Sequence, residues 1–323
     1  MSKKQILVSR PADAIKIVQD HALQARLFNG DCTKLLASLP DDCIDLTVTS
    51  PPYCMGKEYE PNNDIGFFID AHQKLLPEIV RITKPGGSIC WQVGFHVKNG
   101  YVTPLDFLVH EIISKLPNIK LRNRIIWTFG HGFHCERRFS GRYEVIMWYT
   151  KGDEYFFDLD SVRVAQKYPG KRYAKGPKKG EFSGNPKGKN PSDIWEGLIE
   201  NDVWNIPNVK ANHIEKTDHP CQFPVALATR LIRAVSPKGG LVLDPFSGVA
   251  STGVAALLDG RRFLGAEFDS NYAETGKDRL EQSLKGTVKT RPLGREIYVP
   301  TANEKVAMKP DHFWQKEPEE IYL

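Results

Sequence analysis

Apolar positions at Phe68, Leu75, Leu76, Ile79, Val80 and Ile82 recur at helical spacing, and Lys84-Pro85-Gly86-Gly87 predicts a tight turn before a strand near Ser88 to Val93. Leu105, Leu108, Ile112, Ile113 and Leu116 mark a second helix, followed by β-rich runs at Leu121 to Phe129 and Val145 to Thr150. Periodicity fades beyond Tyr149 and returns after Pro224, where Leu227, Leu231, Ile232 and Val235 share one helical face. A short strand, Leu241-Val242-Leu243, then enters Asp244-Pro245-Phe246-Ser247-Gly248, with a helix predicted through Leu258. Next come a strand from Arg262 to Glu267 and a helix near Tyr272 to Leu284. Strand and helix alternate, so the expected architecture is α/β, with a mostly parallel sheet covered on both faces.

That alternation divides the chain. Residues 20–157 and 219–284 carry the regular pattern. Residues 158–218 form an insert rich in Gly, Pro, Lys and Asn, and 285–323 are read as a tail, a clasp or an oligomer contact. There is no internal repeat.

Composition narrows the class. With 323 residues, 41% hydrophobic and 26% charged, the chain can bury one large core or two modest ones. No run of about 18 apolar residues suggests a membrane span, and Met1 to Ile6 lacks the apolar core of a signal peptide, so a cytoplasmic location is expected. The cysteines Cys32, Cys43, Cys54, Cys90, Cys135 and Cys221 form no Cys-x-x-Cys pair. His131-Gly132-Phe133-His134-Cys135 has no complementary ligand cluster, so no metal is expected.

A net charge of +5 does not by itself announce a polyanion partner, but its distribution does more. Arg163, Lys167, Lys171, Arg172, Lys175, Lys178, Lys179, Lys187 and Lys189 meet the single acid Glu181 and are interleaved with Tyr168, Tyr173 and Phe182. Cations for phosphates and aromatics for bases predict a segment that contacts nucleic acid.

Two stretches carry chemistry. Ser50-Pro51-Pro52-Tyr53 follows the apolar run Ile44 to Thr49; its prolines offer carbonyl acceptors without N–H donors, Ser50 adds a hydroxyl and Tyr53 a ring face. Such a corner suits a flat base carrying an exocyclic amine. The second stretch is the pattern of strand, Gly turn, helix and strand, with Asp244 and Glu267 at the two strand ends, 23 residues apart, as in sites for adenosine-bearing cofactors. Gly248-Val249-Ala250-Ser251-Thr252-Gly253 is neither a dinucleotide fingerprint nor a P-loop, so a cofactor without phosphates, S-adenosylmethionine, fits better. A covalent route would need a nucleophilic Cys after Pro in the catalytic loop, and Pro220-Cys221 lies elsewhere.

Together these pieces resemble the DNA amino-methyltransferases, in the group whose catalytic motif precedes its cofactor motif, over roughly residues 27 to 284. Ser50-Pro51-Pro52-Tyr53 is similar to the family's catalytic Asp/Asn/Ser-Pro-Pro-Tyr/Phe motif, and Asp244-Pro245-Phe246-Ser247-Gly248 to its Asp-Pro-Phe-x-Gly cofactor motif. Arg142 to Tyr149 resembles its late-sheet strand. The resemblance implies a Rossmann-like S-adenosylmethionine-dependent methyltransferase fold. It implies that Asp31 meets the cofactor adenine, Glu267 the ribose, and Gln222, Phe223 and Pro224 the methionine end, with Ser251 and Thr252 beside the Gly turn. It places a target recognition region at 158–218, with Arg163, Lys171, Arg172, Lys175, Lys178, Lys179, Lys187 and Lys189 on double-stranded DNA.

The implied reaction is methyl transfer to a flipped-out base, leaning to adenine N6, with cytosine N4, an RNA substrate or a non-catalytic binding protein as the alternatives. A homodimer or higher homo-oligomer and a cognate restriction enzyme are the implied partners. Two positions depart from the family pattern. Ala250 replaces the second glycine and predicts less room for the cofactor, and Ser50 replaces the commoner Asp or Asn.

Overall fold

Successive residues of the central strands belong to two different apolar clusters, and that alternation sets the architecture. Leu241 and Leu243 face one cluster while Val242 faces the other, so one strand is buried on both sides. The structure is a computed structural model that describes residues 5–53, 64–129, 135–166, 168–195, 206–210, 212–292, 301 and 304. Cys54, Lys167, most of the His131 to Cys135 loop and nearly all of the tail beyond residue 292 therefore lie outside the described residues.

The chain opens with β1 (Leu7–Val8), α1 (Pro11–Ala14), α2 (Lys16–Gln19), β2 (Ala25–Asn29), α3 (Cys32–Ser38) and β3 (Ile44–Thr49). It continues through α4 (Ile65–Ile82), β4 (Thr83–Val93), a small hairpin of β5 (Phe95–Lys98) and β6 (Tyr101–Pro104), α5 (Leu105–Ile113), β7 (Ile119–Thr128) and β8 (Tyr143–Lys151). After the insert, which holds β9 (Ile194–Trp195), come α6 (Val225–Val235), β10 (Leu241–Asp244), α7 (Ser251–Leu258), β11 (Arg262–Glu267) and α8 (Ser270–Lys285).

Nine strands among the described residues form one sheet in the order β1-β2-β11-β10-β3-β4-β8-β7-β9. The run from β1 to β4 is parallel, β8 is antiparallel to both neighbours, and β9 pairs parallel with β7. Strands from the end of the chain are thus inserted between strands from its beginning: β10 and β11 separate β2 from β3. Leu35 and Leu36 of α3, Leu76 and Ile79 of α4 and Val109 of α5 cover one face; Leu231 of α6, Val254 of α7 and Leu280 of α8 cover the other. The doubly covered α/β sheet expected from the pattern is present, and no helix among the described residues is long and apolar enough to cross a membrane.

One expected turn is built differently. Instead of a stop between helix and strand at Lys84 to Gly87, helix α4 runs directly into β4 and the four residues form a bulge inside that strand. Ile44 pairs with Thr83 while Leu46 pairs with Ser88, so β4 carries the excess residues, with Gly86 at φ 78°. Asp45, between those two pairs, accepts a hydrogen bond from Leu241 N (2.7 Å) and an ion pair from Lys84 (2.8 Å), which ties β3 to β10 and β4.

The insert is more ordered than its composition suggests. Val164 bridges Lys189 and Arg172 bridges Phe182, both antiparallel, so the chain doubles back on itself into an arm. The turn of that arm, between Tyr173 and Glu181, presents Lys175, Lys178 and Lys179 to solvent.

Candidate functional site

The carboxyl ends of the parallel strands converge on one rim, where open α/β sheets bind ligands. Glu267 ends β11, and its two oxygens accept backbone N–H bonds from Gly248 (2.7 Å) and Asp269 (2.8 Å). Gly248 sits at φ 50°, so a side chain there would be strained as well as crowded against His219. Burial raises the Glu267 carboxyl above the usual range, and these two bonds oppose that shift.

Asp244 ends β10 and is almost fully buried. Its Oδ1 accepts bonds from Thr49 Oγ1 (2.7 Å) and Phe246 N (3.1 Å), and the Thr252 hydroxyl also supports its charge. Burial nevertheless pushes its carboxyl up to about 6. Thr49, the last residue of β3, carries no signal in the sequence; it stands out only once β3 and β10 are known to be neighbours. Asp31 caps helix α3, accepting from Thr33 N (2.9 Å) and Thr33 Oγ1 (2.8 Å).

The Ala250 expectation needs correcting. Ala250 adopts φ 58°, ψ 38°, and its methyl group is fully buried against α8, where a Cβ on Gly276 would lie 3.3 Å away. Val249 and Ser251 line the cavity and Ala250 does not. The alanine therefore costs left-handed backbone strain, about 1 kcal/mol, while leaving the ligand space intact.

The Ser50 corner lies across the same rim. Ser50 Oγ and the Tyr53 hydroxyl are 2.9 Å apart. Behind them, Gln92 near the end of β4 donates through Nε2 to Glu144 Oε2 at the start of β8, and Tyr53 also supports the charge of Glu144. Gly94 leaves room for this group: a Cβ there would meet the Tyr53 ring at 3.3 Å and Glu144 Cγ at 3.6 Å. Burial raises both the Tyr53 phenol and the Glu144 carboxyl, and the charge of Glu144 adds to the shift of Tyr53. Among the described residues Gln92 Oε1 is buried with no hydrogen-bond partner, an acceptor held ready for a donor. Gln92 and Glu144 were missed from sequence, although polar residues in otherwise apolar strands were the available signal.

On the third side, Gln222 is spent on structure: its Oε1 accepts from Thr217 N (3.0 Å) and its Nε2 donates to Glu215 O (2.6 Å). Val225 N donates to Glu215 Oε2 (3.0 Å), so an internal carboxylate occupies the first amide of α6. His219 packs edge-on to Tyr272 with ring centroids 4.6 Å apart. Burial, with Lys216 and Arg279 adding to it, lowers its imidazole to about 4.

These walls enclose one cavity of about 1060 Å³. Ser50, Pro51, Pro52 and Tyr53 line it together with Asp31, Gln222, Phe223, Pro224, Asp244, Pro245, Phe246, Gly248, Ser251 and Glu267. Thr252 stands behind the wall, reaching the site through Asp244. The lining charges are Asp31, Glu144, Asp244, Glu267 and Asp269 against Lys210, a set that favours a cationic ligand over a phosphate-bearing one.

The basic residues lie outside this cavity and differ among themselves. Arg163 is tied to Asp160 (2.7 Å) and to Gly188 O (3.0 Å), and Arg172 stacks over Phe182 (3.9 Å), so both hold the arm together. Lys187 also pairs with Asp160. Lys171, Lys175, Lys178, Lys179 and Lys189 are exposed. Among the described residues no group of His, Cys, Asp and Glu is arranged to hold a metal ion.

A family model described as DNA methylase matches residues 44–278. The Type II methyltransferase M.BglII of Bacillus subtilis is 40% identical over 77% of this chain and 67% of its own length. The Type II methyltransferase M.ScaI of Streptomyces caespitosus is 37% identical over 79% of this chain and 81% of its own. Among solved structures, a DNA modification methylase from Thermus thermophilus, complexed with S-adenosyl-L-methionine, superposes with a TM-score of 0.57 at 28% identity, covering 81% of this chain and 95% of that one.

Proposed function

The chain belongs to the DNA methylase family, and on that premise we propose that it transfers a methyl group from S-adenosylmethionine to the exocyclic amine of a base in double-stranded DNA. The observation that carries this reading is that the Ser50 corner and the Asp244–Glu267 rim line one cavity. The donor set suits the cofactor: among the described lining residues carboxylates predominate and Lys210 is the single lysine or arginine. Glu267, Asp244 and Asp31 would hold its adenosine, with Phe246 and the Pro224 wall around it. When bound, S-adenosylmethionine supplies a methyl on an electron-poor sulfonium.

The chain's own residues do the rest. An exocyclic amine is a poor nucleophile because its lone pair is delocalised into the ring. Ser50 Oγ and the Pro51 carbonyl accept its two N–H bonds, pull the nitrogen toward tetrahedral geometry and aim the lone pair along the transfer line. Since duplex stacking hides the amine, the base must leave the helix at a cost of a few kcal/mol, offset by packing against Tyr53 and Pro52. Exposed lysines of the arm neutralise phosphates and hold the duplex against the cavity mouth.

Adenine N6 is the acceptor we favour, from the resemblance of the flanking motifs. Ser50 in place of Asp or Asn favours cytosine N4 as the second reading. The names of the relatives also support a cognate restriction enzyme as a partner in the cell. The test is to incubate the protein with S-adenosylmethionine and mixed-sequence duplex DNA, digest to nucleosides and weigh the products. N6-methyl-2'-deoxyadenosine is expected and N4-methyl-2'-deoxycytidine would transfer the assignment to cytosine. Methyl transfer to structured RNA alone, or none to any nucleic acid, would overturn the reading.

A further inference from the structure

Phe139 is 100% exposed, more than any other large apolar residue among those described. Its ring forgoes the whole gain of burial in the free protein. The sequence around it is cationic, with Arg137 and Arg138 before it and Arg142 after it against the one acid Glu136. Arg137 and Arg138 are exposed as well. The fold carries this segment to the rim of the cavity. Trp127 and Glu144 pair across β7 and β8, and both line the cavity. One step further out, Phe129 N donates to Arg142 O (2.9 Å), and Cys135 N donates to Ser140 Oγ (3.2 Å) to close the turn that holds Phe139. Gly141 anchors that turn, because a Cβ there would collide with the ring of Phe95. Phe95 follows Gly94, the residue that leaves room for the Tyr53 ring. Two residues of chain span at most about 7 Å, so Phe139 is held close to Gly141 and on the Ser50 side of the rim. The other strongly exposed phenylalanine of the rim, Phe268, lines the cavity beside Glu267 and belongs to the cofactor end.

Resting on the base-extrusion reading above, we propose that Phe139 is a wedge that enters the duplex as the target base leaves it, while Arg137 and Arg138 hold the flanking phosphates. Extrusion leaves two neighbouring bases with nothing between them, and a flat apolar ring restores stacking in that step. Insertion gives Phe139 the burial that it lacks in the free protein, which accounts for an aromatic side chain kept wholly in water. The adjacent cations suit a position where the ring must lie between two phosphate-bearing strands. The arm lysines serve a different purpose, since they sit on the insert and not on the hairpin of β7 and β8.

The experiment uses a duplex carrying the site that the wild-type chain methylates, with a fluorescent analogue of the target base, 2-aminopurine for adenine or pyrrolocytosine for cytosine, whose emission rises on extrusion. Steady-state methyl transfer to the unlabelled duplex, S-adenosylmethionine titration and thermal unfolding are measured alongside. Phe139→Ala is expected to lower kcat/KM for DNA about tenfold or more and to cut the fluorescence rise at saturating protein by about half or more. Cofactor affinity should stay within about twofold and the unfolding temperature should not move, because the ring is fully exposed in the free protein. Phe139→Trp keeps a flat ring and should hold both readouts within about threefold of wild type. Arg137→Ala combined with Arg138→Ala should raise KM for DNA and flatten its salt dependence while leaving the fluorescence rise at saturation intact. A full fluorescence rise with Phe139→Ala, whether or not kcat/KM falls, would overturn the wedge and leave the methyltransferase reading standing. Failure of the wild-type chain to methylate any base would overturn that reading and the wedge with it.

Discussion

The two ends of the cavity satisfy their polar groups by different means. At the Asp244–Glu267 end the carboxylates are held by backbone N–H groups and by a threonine anchored on the next strand. At the Ser50–Tyr53 end the hydrogen bonds run from side chain to side chain, and Gln92 Oε1 has no partner among the described residues. Backbone donors cannot be moved without moving the sheet, so the first end is preformed for one ligand. Side-chain donors can change partner, and the second end keeps an unspent acceptor among the described residues.

Four measurements would break or sharpen that contrast. Removing the hydroxyl at the adaptable end should have the largest effect: Ser50→Ala lowers kcat about a hundredfold or more and leaves S-adenosylmethionine affinity within about twofold, read by methyl transfer and by titration. Equal losses in both would mean that the two ends are not separate.

At the preformed end, Asp244→Asn should weaken cofactor binding about tenfold or more, because a charged acceptor is lost. Its effect on stability has the opposite sign. The folded Asp244 carboxyl is raised to about 6 by burial, so between the unfolded value near 3.8 and that pH the folded chain holds more protons. Wild-type stability therefore falls as pH rises through this window. The Asn variant escapes the penalty, and denaturant titration should find it more stable by on the order of 2 kcal/mol at pH 8, with the difference closing below about pH 4.

A third effect concerns the arm, which belongs to neither end. Changing Lys175, Lys178 and Lys179 together to Ala should raise KM for DNA and flatten the dependence of log affinity on log salt by about 0.9 for each phosphate that is no longer neutralised. The smallest effect is expected at Ala250. Ala250→Gly relieves the left-handed strain but loses a packed methyl, so unfolding free energy should change by less than about 1 kcal/mol and cofactor affinity by less than about twofold. A large gain in cofactor affinity would restore the idea that the methyl group crowds the ligand.

Much of this was legible in the order of residues. Helices α4, α5 and α6 followed from 3.6-residue periodicity, α7 and α8 from their place after a Gly turn and after a strand, and β10 and β11 from apolar runs ending in acids. Ser50, Tyr53, Asp244 and Glu267 were found because their chemistry is local: a donor-free proline corner and a strand-end acid are each visible within a few neighbouring residues. Composition misjudged the arm, since its two antiparallel bridges join residues 25 and 10 positions apart and leave no periodic trace.

The sequence by itself determined helices α4 to α8, strands such as β10 and β11, the two motifs and the class of ligand, because periodicity, proline geometry and side-chain type act over short stretches of chain. Only the tertiary structure decided that Thr49 supports Asp244 from 195 residues away and that Gln92 and Glu144 meet behind Tyr53. Sheet order likewise decided that the Ala250 methyl packs on α8 and that Glu215 occupies the α6 terminus. These facts depend on which strand or helix lies beside which, and that is settled by burying both faces of the whole sheet at once.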